Sequence, residues 1–157
     1  MMTQTILLDL NSTYAANASD VHLMHKGIYN VHKEHYRKWL TEMLRGKTVV
    51  MLTSRPHSYR DQTLSRIKQE EGWEPYLAYF NKWRMKAPQA KKHMLETYVY
   101  PQFGNPEHHC YVAIESNWKT QDMFMEQGIR AFTQQELQKS PTILLKPPIE
   151  LNQETLF

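Results

Sequence analysis

Two apolar runs end in polar side chains that could do phosphate chemistry. Ile6–Leu8 is followed directly by Asp9, and polar, turn-favouring residues come next. The run Thr48–Leu52 ends in Thr53, with Arg55 two residues further on. In an open parallel sheet the carboxyl ends of strands carry the reactive groups. A carboxylate that can attack, together with a hydroxyl and a cation that can hold a phosphoryl oxygen, is predicted at one sheet edge.

Alternating strand and helix patterns predict the architecture that positions these groups. The predicted strands are short, continuous apolar runs, which is typical of strands covered by helices on both faces. Three helical stretches end at a glycine just before the next extended segment. We therefore predict an α/β three-layer sandwich with a mostly parallel sheet. The predicted strands are Thr5–Leu8, Thr48–Leu52, Tyr76–Phe80, Tyr111–Ile114 and Ile129–Phe132, and the helices are Lys33–Leu44, Tyr59–Glu71, Ala90–Tyr98 and Lys119–Gln127.

Composition bounds the class of protein. The chain has 157 residues, 41% of them hydrophobic, which predicts one globular domain over residues 1–139. Residues 140–157 form a Pro/Leu-rich C-terminal extension. The net charge of +3 permits but does not require an acidic partner such as nucleic acid. With one cysteine and no apolar run of membrane-spanning length, we expect a cytoplasmic protein without an internal disulfide.

The segment Asp9–Thr13, reading Asp-Leu-Asn-Ser-Thr, resembles motif I of the haloacid dehalogenase (HAD) superfamily, usually DxDx(T/V). The strand that ends at Thr53 resembles motif II, and the stretch after it is similar to that of capless HAD phosphatases, including the phosphatase domain of phage-type polynucleotide kinases. The resemblance implies that Asp9 is the nucleophile, that Thr53 holds a phosphate oxygen and that Arg55 lies beside the substrate phosphate. It also implies an open site without a sizeable cap domain.

Two further segments resemble the remaining motifs of the superfamily. Motif III supplies a lysine near the start of the third helix, where Lys91 fits best and Lys86 or Lys92 remain possible. Motif IV normally places one or two aspartates where Glu115 and Ser116 stand. By this resemblance Mg²⁺ would be held by Asp9, Asn11 and Glu115, with hard oxygen ligands in octahedral geometry.

Three departures from the family pattern fall on this one site. Asn11 replaces the second carboxylate, and an amide cannot exchange a proton near neutral pH. Ser12 stands where motif I usually has glycine, and Glu115-Ser116 replaces the aspartate pair. General acid–base help is typically worth ~10²–10⁴-fold in rate. We therefore predict a phosphatase fold whose catalytic function is lost or nearly lost, with weakened Mg²⁺ binding.

Such a scaffold would act by binding. Lys82, Trp83, Arg84 and Lys86 interleave aromatic and cationic side chains, which suits phosphate contacts and base stacking. A solvated helix face with buried aromatics is the alternative interpretation of this cluster. We expect a non-catalytic, phage-encoded regulatory factor in the host cytoplasm that binds nucleic acid or a nucleic-acid enzyme such as the host transcription machinery. The alternatives are a Mg²⁺-dependent phosphatase of nucleotides or polynucleotide 3′ ends, and a protein-interaction module that uses the Pro/Leu tail.

Overall fold

The computed structural model describes residues 4–17, 26 and 28–144. Five strands form one all-parallel sheet in the order β3-β2-β1-β4-β5. The predicted α/β sandwich with a parallel sheet is confirmed, and the predicted strand positions hold to within a few residues. The strands are β1 (Gln4–Leu8), β2 (Thr48–Pro56), β3 (Leu77–Asn81), β4 (Cys110–Ile114) and β5 (Arg130–Phe132).

Helices cover both faces of the sheet. The helix α3 continues through a π-helical turn, Leu95–Val99, into α4. Three short 3-10 turns lie at Val31–Lys33, His57–Tyr59 and Pro141–Leu144. The α-helices are α1 (Lys38–Leu44), α2 (Arg60–Glu71), α3 (Ala87–Met94), α4 (Tyr100–Phe103), α5 (Trp118–Glu126) and α6 (Gln134–Lys139).

Side chains that alternate along the strands divide the core into two clusters, one on each face. Ile6 and Leu8 of β1 point to the cluster that contains α1, α2 and α6. Leu7 points the opposite way, to the cluster that contains α3 and α5. This alternation follows from the two-residue period of a strand. The central strand β1 is therefore enclosed between two apolar layers, and this position fixes the loop that carries Asp9.

The helix predicted from Lys33 begins only at Lys38. The preceding residues pair with the loop after β1 instead, through an antiparallel bridge between Ala15 and Tyr36. Asn17 strengthens this arrangement, because its side-chain amide donates to the Lys33 carbonyl and its carbonyl accepts the His35 N–H. These hydrogen bonds satisfy the backbone in an extended conformation, so the segment cannot also be helical.

Two other helices begin or end at residues that are typical of helix caps. Gly72 ends α2 in the left-handed conformation, with φ of 58°, as the sequence predicts. The helix α6 is not among the predicted helices, although Thr133 and Glu136 form a complete capping box at its start. Among the described residues, no helix is both long and apolar enough to cross a membrane. Most of the predicted C-terminal extension, residues 145–157, lies outside the described residues.

Candidate functional site

The central strand and its neighbour deliver two carboxylates to one cleft. Asp9 follows β1 directly, and its backbone N–H donates to the Ile114 carbonyl at 3.0 Å. Glu115 follows β4, and its N–H donates to the Phe132 carbonyl at 2.8 Å. These backbone bonds align the two strand ends where the strand order changes direction, the place where open α/β sheets bind ligands.

Lys91 bridges the two carboxylates. Its Nζ lies 2.7 Å from Asp9 Oδ1 and 2.8 Å from Glu115 Oε2. The ammonium is buried, with 2% of its side chain exposed, and so are both carboxylates. Of the three lysines that the sequence left open for this position, the structure brings only Lys91 to Asp9 among the described contacts. Burial alone would lower the pKa of Lys91, but the two carboxylates hold it above its ordinary value.

The second oxygen of Asp9 is held by two hydroxyls. Thr13 Oγ1 donates to Asp9 Oδ2 at 2.7 Å, and Ser116 Oγ donates to the same oxygen at 3.3 Å. Together with Lys91, these donors engage both oxygens of the carboxylate. Charge-assisted hydrogen bonds of this kind are stronger than neutral ones, so Asp9 is firmly oriented.

The three buried charges do not balance. Two carboxylates share one ammonium, which leaves a formal excess of one negative charge. Burial and the neighbouring Asp9 raise the pKa of Glu115, while the Lys91 ammonium and its hydrogen bond oppose this rise. Protonation of the Glu115 carboxylate would leave a neutral pair of Asp9 and Lys91, which is the direction in which its raised pKa acts.

A second network holds Asn11. Arg55 Nη2 donates to Asn11 Oδ1 at 2.9 Å, and the Asn11 amide donates to the Tyr29 hydroxyl at 3.4 Å. Arg55 is fully buried in an ion pair with Glu34, and it also donates to Thr63 Oγ1 at 3.0 Å. The guanidinium lies 4.4 Å from the centre of the Tyr29 ring. Arg55 was predicted to lie beside a substrate phosphate, and the structure places it against the Asn11 side chain.

The cleft itself has a volume of about 270 Å³. Thr53 does not line it, because its hydroxyl is fully buried and accepts the Arg55 N–H at 3.1 Å. Ser54, the next residue, lines the cleft instead. Sequence reasoning missed Ser54 and also Tyr29 and Asn117. The lining consists of Asp9, Asn11, Ser12, Tyr29, Ser54, Ala87, Lys91, Glu115, Ser116 and Asn117.

The predicted Mg²⁺ ligands are arranged around chain cations. Asp9 and Glu115 share the Lys91 ammonium, and the side-chain oxygen of Asn11 accepts from Arg55. In the part of the chain that the structure describes, no three His, Cys, Asp or Glu side chains are placed to hold a metal together. One side-chain oxygen of each predicted ligand thus accepts from a cation of the chain, whereas Mg²⁺ is bound by several oxygens in tight octahedral geometry.

Ser12 adopts a conformation that glycine would adopt more easily. Its φ is 64°, in the left-handed region, and its side chain is exposed. The position at which the motif I resemblance expects glycine therefore has the backbone conformation that glycine favours. A left-handed non-glycine residue stores roughly 1 kcal/mol or more of strain.

We therefore expect Ser12→Gly to raise the free energy of unfolding by roughly 0.5–1 kcal/mol, because relief of strain exceeds the entropy lost by a glycine. Denaturant unfolding followed by circular dichroism measures this. Ser58→Gly is the matched control, since Ser58 is also exposed but has no positive φ. Ser58→Gly should lower the free energy of unfolding. If Ser12→Gly lowers it by the same amount, Ser12 carries no strain.

The other predicted binding residues lie beside the cleft. Lys82, Arg84 and Lys86 are exposed on the loop after β3, and Trp83 is half-buried there. This loop leads directly into α3, whose first residue, Ala87, lines the cleft. The structure thus brings Asp9, Asn11, Lys91 and Glu115 together, and it places the basic loop next to them.

Comparison with solved structures shows a shared fold. A chain of the Pnkp1/Rnl/Hen1 complex matches with a TM-score of 0.64 and 16% identity, over 84% of this chain and 46% of that chain. A chain of the Pnkp1/Rnl/Hen1 RNA repair complex matches with a TM-score of 0.65 and 17% identity, over 84% of this chain and 42% of that chain. The protein thus spans less than half the length of these chains. Neither a protein-family model nor a curated protein matches it. At this level of identity the match concerns architecture, and the chain shares its fold with a part of the Pnkp1/Rnl/Hen1 assembly.

Proposed function

We propose that the protein is a HAD-like phosphatase scaffold that has lost its catalytic function and acts by binding nucleic acid. The observation that carries this proposal is the set of hydrogen bonds that Asp9 and Asn11 form within the chain. Both of its oxygens are engaged by donors of the chain, and the residue two positions on is an amide that Arg55 and Tyr29 hold. A phosphatase of this type needs a second carboxylate that can exchange a proton, and Asn11 cannot do so.

The changed acidic residues of motif IV support the same proposal. Ser116 supplies a hydroxyl where the resemblance expects a carboxylate, and this hydroxyl donates to Asp9. Glu115, the remaining acidic group of that segment, forms a buried pair with Lys91. A lysine at this position is what motif III itself implies, so the difference from the superfamily pattern lies in the missing carboxylate, which leaves one anionic ligand fewer for Mg²⁺.

Unpaired cations support nucleic-acid binding. Among the described residues Lys82, Arg84 and Lys86 have no ion-pair partner, and all three are exposed on one loop. Clusters of this kind bind phosphates with an affinity that depends on salt concentration. The fold match to a chain of an RNA repair complex is consistent with this class of ligand. A phage-encoded regulator of nucleic-acid metabolism is the biological setting that we propose for such a protein.

A second candidate function is a phosphoric monoester hydrolase that acts on nucleotides or polynucleotide 3′ ends. The observation in its favour is that Asp9, Lys91 and Glu115 still meet in one cleft. Asp9 would attack phosphorus, and Lys91 would hold the attacking and phosphoryl oxygens together. Its difficulty is the second step, since the described side chains that contact Asp9 are Lys91, Thr13 and Ser116, and none of these is a base that activates water.

Fluorescence anisotropy with a labelled oligonucleotide, over a range of NaCl concentrations, tests the proposal. We expect the logarithm of affinity to fall linearly with the logarithm of salt concentration, with a slope of about −0.7 for each phosphate bound on a single strand. Asp9→Asn should bind the oligonucleotide equally well, because Lys82, Arg84 and Lys86 of the basic loop make the contacts and the Asp9 carboxylate does not. Absence of binding, or Mg²⁺-dependent phosphate release that Asp9→Asn abolishes, would contradict the proposal.

A further inference from the structure

A groove runs along the free edge of the sheet, apart from the Asp9 cleft. The strand β3 lies at one edge of the sheet, since within residues 4–17, 26 and 28–144 it pairs with β2 alone. The groove has a volume of about 450 Å³, in the range of about 300–1,000 Å³ that is typical of small-molecule sites. We call it the β3 groove. Its polar and aromatic lining includes His57, Arg60, Tyr76, Tyr79, Trp83 and Tyr98.

Aromatic rings form one wall of the β3 groove. Tyr79 and Tyr98 stack on each other with ring centres 4.9 Å apart and planes within 10°. Trp83 packs edge-on against His93 at 4.5 Å, which holds its ring at the groove. Tyr76, which also lines the groove, is 64% exposed although it contacts Phe103 edge-on with ring centres 6.3 Å apart. The groove therefore presents one largely exposed ring and a rigid aromatic wall to a ligand.

Cationic side chains line the surface next to the β3 groove. A second depression, of about 380 Å³, shares His57 and Lys82 with the β3 groove and adds Arg84. Lys82 and Arg84 have no ion-pair partner among the described residues. The acidic side chain in the lining, Glu74, lies 3.4 Å from Lys68. The two adjoining depressions thus combine stacking rings with positive charge.

We propose that the β3 groove and the adjoining depression form a binding site for single-stranded nucleic acid. Bases stack on Tyr76 and the aromatic wall, and backbone phosphates bind Lys82 and Arg84. This site rests on the proposed nucleic-acid function and specifies where and in what form the ligand binds. A duplex is disfavoured because its bases are stacked on one another and cannot offer their faces to the tyrosines.

An extended peptide that pairs with the β3 edge is the competing occupant of such a groove. The free cations favour a polyanion over a neutral peptide, and the exposed ring favours bases over carboxylates. Polyglutamate separates these two features, because it carries the charge of a polyanion without any ring. It is therefore included in the test as a competitor.

The test is fluorescence anisotropy with a short labelled RNA that has no self-complementarity, compared with the same strand annealed to its complement. We expect Tyr76→Ala to weaken single-strand binding by at least about fivefold, and Tyr76→Phe to bind like the wild type because the ring is kept. Lys82→Gln combined with Arg84→Gln should flatten the salt slope by about 1.4, from two phosphate contacts at about 0.7 each.

Lys119→Gln combined with Lys139→Gln is the matched control. It removes two exposed positive charges from helices that follow β4 and β5, at the far side of the sheet. Equal losses in the groove and control variants would overturn the site, and so would duplex binding as tight as single-strand binding. Competition by polyglutamate as effective as by unlabelled RNA would also overturn it. If the wild type binds no nucleic acid at all, the proposed function fails, whereas binding that the groove variants leave intact refutes the groove alone.

Discussion

Replacing Asn11 with aspartate is expected to raise phosphate release from an aryl phosphate by about 10²–10⁴-fold over the wild type, the usual gain from general acid–base catalysis. Arg55 Nη2 lies 2.9 Å from Asn11 Oδ1. An aspartate at this position would accept the same hydrogen bond, and the guanidinium would favour its ionised form. An ionised carboxylate can take a proton from water, which is the step needed to release phosphate from Asp9.

The same contact predicts which substrates respond. A carboxylate held in its ionised form is a better base than acid, so it gives little help to a leaving group that must be protonated. An aryl phosphate needs little such help, whereas a 3′-phosphorylated oligonucleotide releases an alkoxide that must be protonated. The gain from Asn11→Asp should therefore be larger for the aryl phosphate. Phosphate release in magnesium-containing buffer, measured for both substrates side by side, checks this order.

Two controls accompany this experiment. Asn105→Asp makes the same charge change in an exposed loop and should have no effect on turnover. Asp9→Asn combined with Asn11→Asp should be inactive, because the nucleophile is gone. If Asn11→Asp is as silent as the wild type, the loss of activity does not originate at position 11. In that case the Lys91-bound carboxylates and Ser116 would account for it.

The sequence predicts the position of the two strand-end carboxylates, Asp9 and Glu115, better than it predicts the hydrogen bonds of Arg55. The strands are recognisable because they are short apolar runs, and Asp9 and Glu115 follow two of them directly. Neighbouring parallel strands then bring the two carboxylates together without further information. The choice among Lys86, Lys91 and Lys92 stays open in the sequence, because the helix is predicted only from Ala90. The observed start at Ala87 puts Lys91 one turn into the helix.

The contacts of Arg55 could not be predicted in the same way. Its partner Glu34 lies 21 residues earlier in the chain, in a segment that the sequence pattern assigned to a helix. That segment is extended because it pairs with the loop after β1, and only this tertiary pairing puts Glu34 and Tyr29 against Arg55. Likewise, the choice between Thr53 and Ser54 at the cleft depends on the local course of β2, which composition does not determine.

Replacing Lys91 with methionine is expected to lower the free energy of unfolding by about 3–5 kcal/mol, the usual cost of leaving a buried charge without its partner. The ammonium lies within 2.8 Å of both Asp9 and Glu115, and all three groups are buried. Methionine has a similar length and fills the same space, so the loss reports on charge and not on a cavity. Urea unfolding in the presence of a chelator measures it.

Lys92→Met is the matched control, because Lys92 follows on the same helix, is half-exposed and lies 4.0 Å from Glu96. It should change stability by less than about 1 kcal/mol, as for other surface ion pairs. Equal effects of the two substitutions would show that Lys91 does not hold the carboxylates.

Glu115→Gln separates the two carboxylates that Lys91 binds. In the Lys91→Met background it should restore part of the lost stability, because Asp9 then no longer faces a second ionisable carboxylate. In the wild-type background it should cost far less than Lys91→Met, since the raised pKa of Glu115 indicates that its ionised form is already disfavoured. If instead Glu115→Gln alone destabilises as strongly as Lys91→Met, the pair of Lys91 and Glu115 stabilises the fold. The excess negative charge would then reside on Asp9, and Asp9 must be ionised to attack phosphorus.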